Sequence, residues 1–303
     1  MKIGYFPGCS LLGTAVEYAT SLEEVLKVFG MELEEIKDWN CCGATAAHNL
    51  NHTLALALPA RSLALAEKQG FEEFLTPCAA CFNRLYSAYD SIKKDDALRK
   101  KIENIIEMPL AGTAKPISVI EFLNKRILPE LPSKVVSKFE KKTACYYGCL
   151  LVRPKELMQF ERFEDPMALE NIMKALGAQP IDWGYKTECC GASLSIARTD
   201  IVGALSGKIL GDAIHRGAEA IVVACPMCQS NLDMRRPEIN AYLKTNSEVP
   251  VIYITQAIGM ALGLESSKLG LGKHFVDAQS LISINKNKAA ILDGVPAQNG
   301  KEA

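Results

Sequence analysis

The chain has 303 residues, is 49% hydrophobic and 23% charged, and carries a formal net charge of −1. That is an ordinary globular composition, sized for about two domains of roughly 150 residues, and near-neutral charge gives no reason to expect nucleic acid or an anionic membrane as partner. Its eleven cysteines argue against a small secreted disulfide scaffold, because such scaffolds lack a core and this chain has ample apolar material for one.

In chain order, KIGYF reads as a short strand ending in Pro7, Gly8 and Cys9, without the charged and apolar regions of a signal peptide. Residues 14–29 carry apolar positions at helical spacing, with Gly30 as the expected C-cap. MELEEIKDW is a predicted strand leading to Cys41, Cys42 and Gly43. Residues 51–69 form a second amphipathic helix, closed by Gly70. EEFLTP is a strand, and the segment with Cys78 and Cys81 opens a third helix. The charge-rich run DSIKKDDALRKKIENIIE is expected to be a solvated helix face. After LPSKVVSKFEKK the pattern returns: strand TACYYG before Cys149, helix 165–176, strand QPIDW before Cys189 and Cys190, helix 199–216, strand EAIVVAC ending in Cys225, and a helix with Cys228. VPVIYITQAIGMALGL is the longest apolar run; it falls short of the ~20 residues of a membrane span and is expected to be a buried strand entering a buried helix.

The repetition is internal. The first half reads C–x31–CC–x35–CxxC and the second C–x39–CC–x34–CxxC, with glycine directly after each CC. KVFGMELEEIKDWNCCGA sits against KALGAQPIDWGYKTECCGA, and KPISVIEFL against VPVIYITQAI. The halves therefore read as one duplicated domain, residues 1–140 and 141–303, the latter with a C-terminal tail from about 260. Strands alternating with helices predict an α/β fold: two tandem units, each a small, mostly parallel sheet flanked by helices. Each cysteine cluster then follows the C-terminal end of a strand, where ligands sit in open α/β sheets, so five thiols per unit can meet.

Thiolates select zinc, copper(I) or iron–sulfur clusters. Zinc takes four ligands in a tetrahedron, usually from two CxxC-type pairs. Here five thiols are available per unit, and the side-by-side sulfurs of a CC pair tend to diverge. Two adjacent thiols suit two adjacent metal atoms, which makes a polynuclear iron–sulfur cluster the natural candidate. A zinc-stabilised scaffold that only docks partners is the alternative of a different class, and ten ordered thiols exceed what scaffolding needs.

The twofold C…CCG…CxxC pattern resembles the cysteine-rich CCG domain family, and a chain of two such units beginning MKIGYFPGCS resembles the B-type subunits of heterodisulfide reductase over roughly residues 1–260. The resemblance implies two noncubane [4Fe-4S] clusters. One would lie on Cys9, Cys41, Cys42, Cys78 and Cys81, the other on Cys149, Cys189, Cys190, Cys225 and Cys228. It implies reduction of the mixed disulfide of coenzyme M and coenzyme B between the two clusters, as in methanogenesis. It also implies a cytoplasmic complex with a ferredoxin-like C-type subunit, an A-type subunit bearing flavin and iron–sulfur clusters, and a hydrogenase or formate dehydrogenase upstream. The chain has no ferredoxin Cx2Cx2CxxxCP run and no flavin fingerprint, so its electrons must come from another chain. Related CCG proteins serve organic-acid oxidation, fumarate reduction or sulfur metabolism, and an electron-transfer role of that kind is the alternative reading.

Other residues carry weaker signals. His48 and His52, four apart after the first CCG, would share a helix face and could donate a proton to a leaving thiolate, against a plain capping or packing role. The second unit offers Ser193 and Ser195 there. An anionic substrate would call for arginine, and Arg84, Arg153 and Arg198 follow Cys81, Cys149 and Cys190 most closely, against simple surface solvation. Gly43 and Gly191 suit tight turns with close backbone approach, and could also aim backbone N–H groups at sulfide. Cys145 has Tyr5 as its approximate counterpart and reads as a buried structural thiol.

Overall fold

A computed structural model describes residues 1–44, 47–158, 160 and 162–282. Its frame is two four-stranded, all-parallel sheets. The first has the order β2-β1-β3-β4, with β1 at Lys2–Tyr5, β2 at Glu32–Glu35, β3 at Glu73–Thr76 and β4 at Lys115–Ser118. The second repeats it as β6-β5-β7-β8, with β5 at Lys142–Tyr146, β6 at Gln179–Pro180, β7 at Ala220–Val223 and β8 at Val251–Tyr253. The strand order reverses between β1 and β3, and again between β5 and β7. Those are the crevices where open α/β sheets bind ligands.

The inner strand β7, AIVV, is buried throughout, as a parallel strand covered on both faces must be, and the edge strand β8, VIY, is buried as well. The edge strand β2, ELEE, keeps its charges toward solvent, which blunts an exposed edge. Both expected CCG-bearing strands are shorter than their sequences suggested. MELEEIKDW pairs only over Glu32–Glu35 and QPIDW only over Gln179–Pro180, so each CC pair hangs on a loop. Each sheet also has a fourth, cysteine-free strand, β4 or β8, beyond the three that precede thiols. The long apolar run is the expected buried strand and helix: β8 leads into Ile254–Ala261, whose residues are all buried. Among the described residues no helix is long and apolar enough to cross a membrane.

Helix ends follow local chemistry. The Val16–Val28 helix stops where Gly30 takes φ +67°, and Gly177 takes φ +87° after the Ala168–Ala175 helix, a left-handed conformation that glycine adopts without strain. The second long helix is His52–Lys68, and the Asn51 side chain caps it by accepting from Leu54 N. Asn51 thus separates this helix from the short turn Ala47–Leu50, so His48 and His52 do not share one continuous helix.

The two halves share one continuous hydrophobic core. The Val16–Val28 helix packs on Ile254–Ala261. Between them Tyr18 stacks on Tyr253 with ring centroids 4.2 Å apart, and the Ser21 and Thr255 hydroxyls meet at 2.7 Å, both buried. Beyond residue 261 the chain returns over this seam. Gly270 lies against Glu17, and the His274 ring sits between the Gln229 and Gln256 side chains. The last part of the tail, residues 283–303, lies outside the described residues.

Candidate metal centre

The ten motif cysteines gather at the C-terminal ends of β1, β3, β5 and β7 and on the two CC loops. Short turns start each set, with Cys9 just after Gly8 and Cys149 just after Gly148; Cys78 and Cys225 are the N-caps of the helices Ala79–Lys94 and Pro226–Asp233. In the first unit Cys42 Sγ stands 3.2 Å from Cys81 Sγ; in the second Cys190 Sγ stands 3.8 Å from Cys228 Sγ. The Cys78 thiol neighbours that of Cys81 and, across the seam, that of Cys225. The sulfurs of Cys41, Cys42, Cys81, Cys78, Cys225, Cys228 and Cys190 thus follow one another as neighbours through both halves. Cys149 bonds to Cys189 beside it. Cys9, Cys41 and Cys189 are exposed, Cys149 is half-buried and the other six are buried, so each set opens to solvent on one side.

Thiols of Cys41 and Cys81 draw Cys42 down to about 3, and the Cys149 thiol, helped by the Gly191 N–H, draws Cys189 down to about 6. Cys228 and Cys78 hold Cys225 well below the usual thiol range. Their donors Cys41, Cys78, Cys81, Cys149 and Cys228 are pushed up, each first by the thiol it serves and then by burial. Thiolate is the metal-binding form, so hydrogen bonds that favour the ionised thiol suit metal ligation.

Glycines keep room beside the sulfurs. A Cβ on Gly8 would stand 2.9 Å from Cys81 Sγ, and one on Gly148 would stand 2.8 Å from Cys228 Sγ, both at positive φ. The Gly43 and Gly191 N–H groups donate to the Cys41 and Cys189 sulfurs at 3.4 and 3.3 Å. Metal–sulfur bonds of about 2.3 Å place tetrahedral sulfurs about 3.8 Å apart, which the 3.8 Å Cys190–Cys228 pair matches and the 3.2 Å Cys42–Cys81 pair falls short of. Among the described residues no three His, Cys, Asp or Glu side chains converge as a site for a single ion. A string of thiols of this kind suits a polynuclear iron–sulfur cluster, whose irons accept thiolates spaced along it.

A family model described as a cysteine-rich domain, CCG, matches residues 3–86 and 143–233, the stretches that carry the two thiol sets. The chain belongs to the CCG cysteine-rich domain family. Among curated relatives of this CCG protein, the 8-methylmenaquinol:fumarate reductase membrane anchor subunit of Wolinella succinogenes is 32% identical, covering 92% of this chain and 99% of the relative. The B-type subunit of the ferredoxin/F420H2-dependent CoB-CoM heterodisulfide reductase of Methanosarcina acetivorans is 28% identical, covering 91% and 94%. A crystal structure of a hypothetical protein from Helicobacter pylori superposes with a TM-score of 0.74 at 12% identity, covering 91% of this chain and 52% of that one, and shares the fold.

The CCG units do not position their thiols independently. Tyr18 of the first half donates to the carbonyl of Ala224, directly before Cys225, at 3.1 Å. Asn83, two residues after Cys81, donates to the carbonyls of Leu150 and Arg153, just beyond Cys149, at 3.0 and 2.9 Å. Neither residue was visible as functional in the sequence; Asn83 has Ser230 at the matching place after the second CxxC, so the repeat gave no signal. A buried charge cluster was also missed. Lys186, three residues before Cys189, pairs with buried Glu170 at 2.9 Å and with Asp165 at 2.6 Å. Tyr147 donates to the same Glu170, and the Lys186 carbonyl accepts from the N–H groups of Tyr147 and Gly148, tying this cluster to the Cys149 turn.

Of the remaining sequence candidates, Arg84 and Arg153 come together. With Lys155, and with Glu156 and Glu164 opposing them, they line a cleft of about 640 Å³ beside the Cys149 turn. The Arg84 Nε is buried and has no hydrogen-bond partner among the described residues. Arg198 instead forms an exposed ion pair with Asp200 at 2.7 Å and does not line that cleft. The side chain of His48 lies outside the described residues; His52 is exposed. Cys145 is fully buried in β5, paired with Val222, and burial pushes its thiol up, which makes it a core residue.

Proposed function

We propose that this CCG protein is the catalytic subunit of a heterodisulfide reductase, holding one noncubane [4Fe-4S] cluster on Cys9, Cys41, Cys42, Cys78 and Cys81 and another on Cys149, Cys189, Cys190, Cys225 and Cys228. The observation that supports the reading is the pair of complete five-cysteine sets at matching strand ends of two repeated sheets that share one core. When bound, the clusters supply electrons one at a time at the sulfur substrate. The mixed disulfide of coenzyme M and coenzyme B takes up two electrons and two protons, its S–S bond breaks, and two thiols leave. Asn83 and Tyr18 lock the second thiol set against the first half, which fixes the distance between the two centres. Arg84 and Arg153 offer guanidinium groups to the sulfonate, phosphate or carboxylate ends of such a substrate. The ferredoxin-like and flavin-bearing partner subunits, fed by a hydrogenase or formate dehydrogenase in the cytoplasm, complete this reading.

A second reading is favoured by the 32% identical fumarate reductase relative. There the same two thiol sets relay electrons within a fumarate reductase, and no disulfide is cleaved. Iron, sulfide and zinc are measured first, on protein purified without oxygen. About eight irons with matching sulfide support two four-iron clusters, and zinc without sulfide overturns both readings. With its partner subunits, the loaded protein is then offered the mixed disulfide and, separately, fumarate. Thiol release supports the first reading; fumarate reduction without thiol release replaces it by the second.

A further inference from the structure

The two centres are built by a repeat, so any position where the repeat breaks against the sulfurs makes them unequal. Strand register fixes the correspondence. Tyr5 pairs with Leu75 and Thr76 with Ser118; Cys145 pairs with Val222 and Val223 with Tyr253. Tyr5 therefore matches Cys145, and the next residues, Phe6 and Tyr146, match each other.

Both rings stand in the same place. A Cβ on Gly8 would meet Cys81 Sγ at 2.9 Å and the Phe6 ring at 3.5 Å. A Cβ on Gly148 would meet Cys228 Sγ at 2.8 Å and the Tyr146 Oη at 3.8 Å. Each ring also packs on a tryptophan of its own unit, Phe6 on Trp39 and Tyr146 on Trp183. The second centre has a hydroxyl where the first has only a ring edge.

That hydroxyl is engaged. It donates to the carbonyl of Glu188, directly before Cys189, at 2.7 Å. Tyr146 is fully buried, and a phenol is protonated at neutral pH, so the hydroxyl keeps its proton to donate. The first unit holds its CC loop by other means: Arg61 donates to the Asp38 carbonyl at 2.6 Å, and Asn40 Nδ2 donates to the carbonyls of Cys41 and Leu58, both at 2.9 Å.

We infer that Tyr146 is a positioning residue that makes the second metal centre unlike the first: its hydroxyl anchors the Cys189–Cys190 segment and sets a polar group beside the thiols that Phe6 cannot supply. The inference rests on the reading that each thiol set binds a cluster. Hydrogen bonds and polar groups around the sulfurs set a cluster's potential, so the two clusters have different midpoints.

The test pairs Tyr146→Phe with the reciprocal Phe6→Tyr in the full chain. In the metal-free protein, the alkylation rate of each cysteine is read by peptide mass spectrometry. Tyr146→Phe is expected to raise the rate at Cys189 severalfold and leave Cys41 unchanged. In the iron-loaded protein, a redox titration followed by electron paramagnetic resonance is expected to show Tyr146→Phe moving the midpoint of one cluster and Phe6→Tyr moving that of the other. Unchanged Cys189 reactivity with unchanged midpoints, or an equal shift of both clusters, overturns the inference. If wild type takes up no iron, the cluster reading itself fails; the alkylation result still decides whether Tyr146 positions Cys189.

Discussion

Cys78 of the first half and Cys225 of the second bring their thiols together across the seam, each at the N-cap of the helix that follows its strand. The contact makes one object of two repeated thiol sets. Replacing Cys78 or Cys225 by serine is expected to remove one cluster and disturb the other, so iron falls by more than half. Cys9→Ser, at the exposed outer end of its set, is expected to affect its own cluster alone. Iron and sulfide analysis with electron paramagnetic resonance of the remaining signal decides it.

Gly8 and Gly148 supply a second expectation. Alanine at either position would drive a Cβ to within 3 Å of a cysteine sulfur, Cys81 or Cys228, at a positive φ. Gly148→Ala is expected to lose the cluster of the second unit and keep that of the first, and Gly8→Ala the reverse. The far-ultraviolet circular dichroism of both variants stays that of wild type; global unfolding would contradict a local steric cause.

The Lys186–Glu170–Asp165 cluster sets a pH window. Bonds from Asp165 and Glu170 outweigh burial and raise Lys186, so its share of stability is present below the unfolded lysine value near 10.4 and is lost as pH rises through the folded value. Lys186 lowers Asp165, so that share is present above about 3.9 and is lost as pH falls through the folded value. Denaturant unfolding of wild type and Lys186→Met is expected to differ by about 3 kcal/mol at neutral pH, because Glu170 would stay buried without its partner. The difference shrinks at both ends of the range; a pH-independent difference would assign the effect to packing.

Asn83→Ala is expected to cost about 1–3 kcal/mol, since it strips the Leu150 and Arg153 carbonyls of their buried donor. The damage should appear across the seam, as faster hydrogen exchange at residues 149–153 with little change around Cys78. Exchange confined to the Ala79–Lys94 helix would argue that Asn83 serves only its own helix.

Arg84 and Arg153 share a cleft while Arg198 is paired at the surface. Under the proposed reaction, Arg84→Ala and Arg153→Ala should each raise KM for an anionic disulfide about tenfold or more, the loss expected of a charge-assisted hydrogen bond. Arg198→Ala should leave it unchanged. Equal effects from all three would point to long-range charge.

Much of this protein was legible in the chain alone. The doubled C…CCG…CxxC spacing identified the ten ligand candidates and the duplication, and helical spacing with closing glycines located the long helices, because those signals are local. The short edge strands were overread: ELEE and QP are all that pair, since an edge strand is held on one side only and the loop that follows is shaped by its thiols. The seam was invisible. Nothing in the repeat says that Tyr18 and Asn83 hold the second unit's thiols, that Cys78 reaches Cys225, or that Arg84 and Arg153 meet while Arg198 does not. Those relations join residues 67 to 206 positions apart, and only packing the shared core decides which side chains become neighbours.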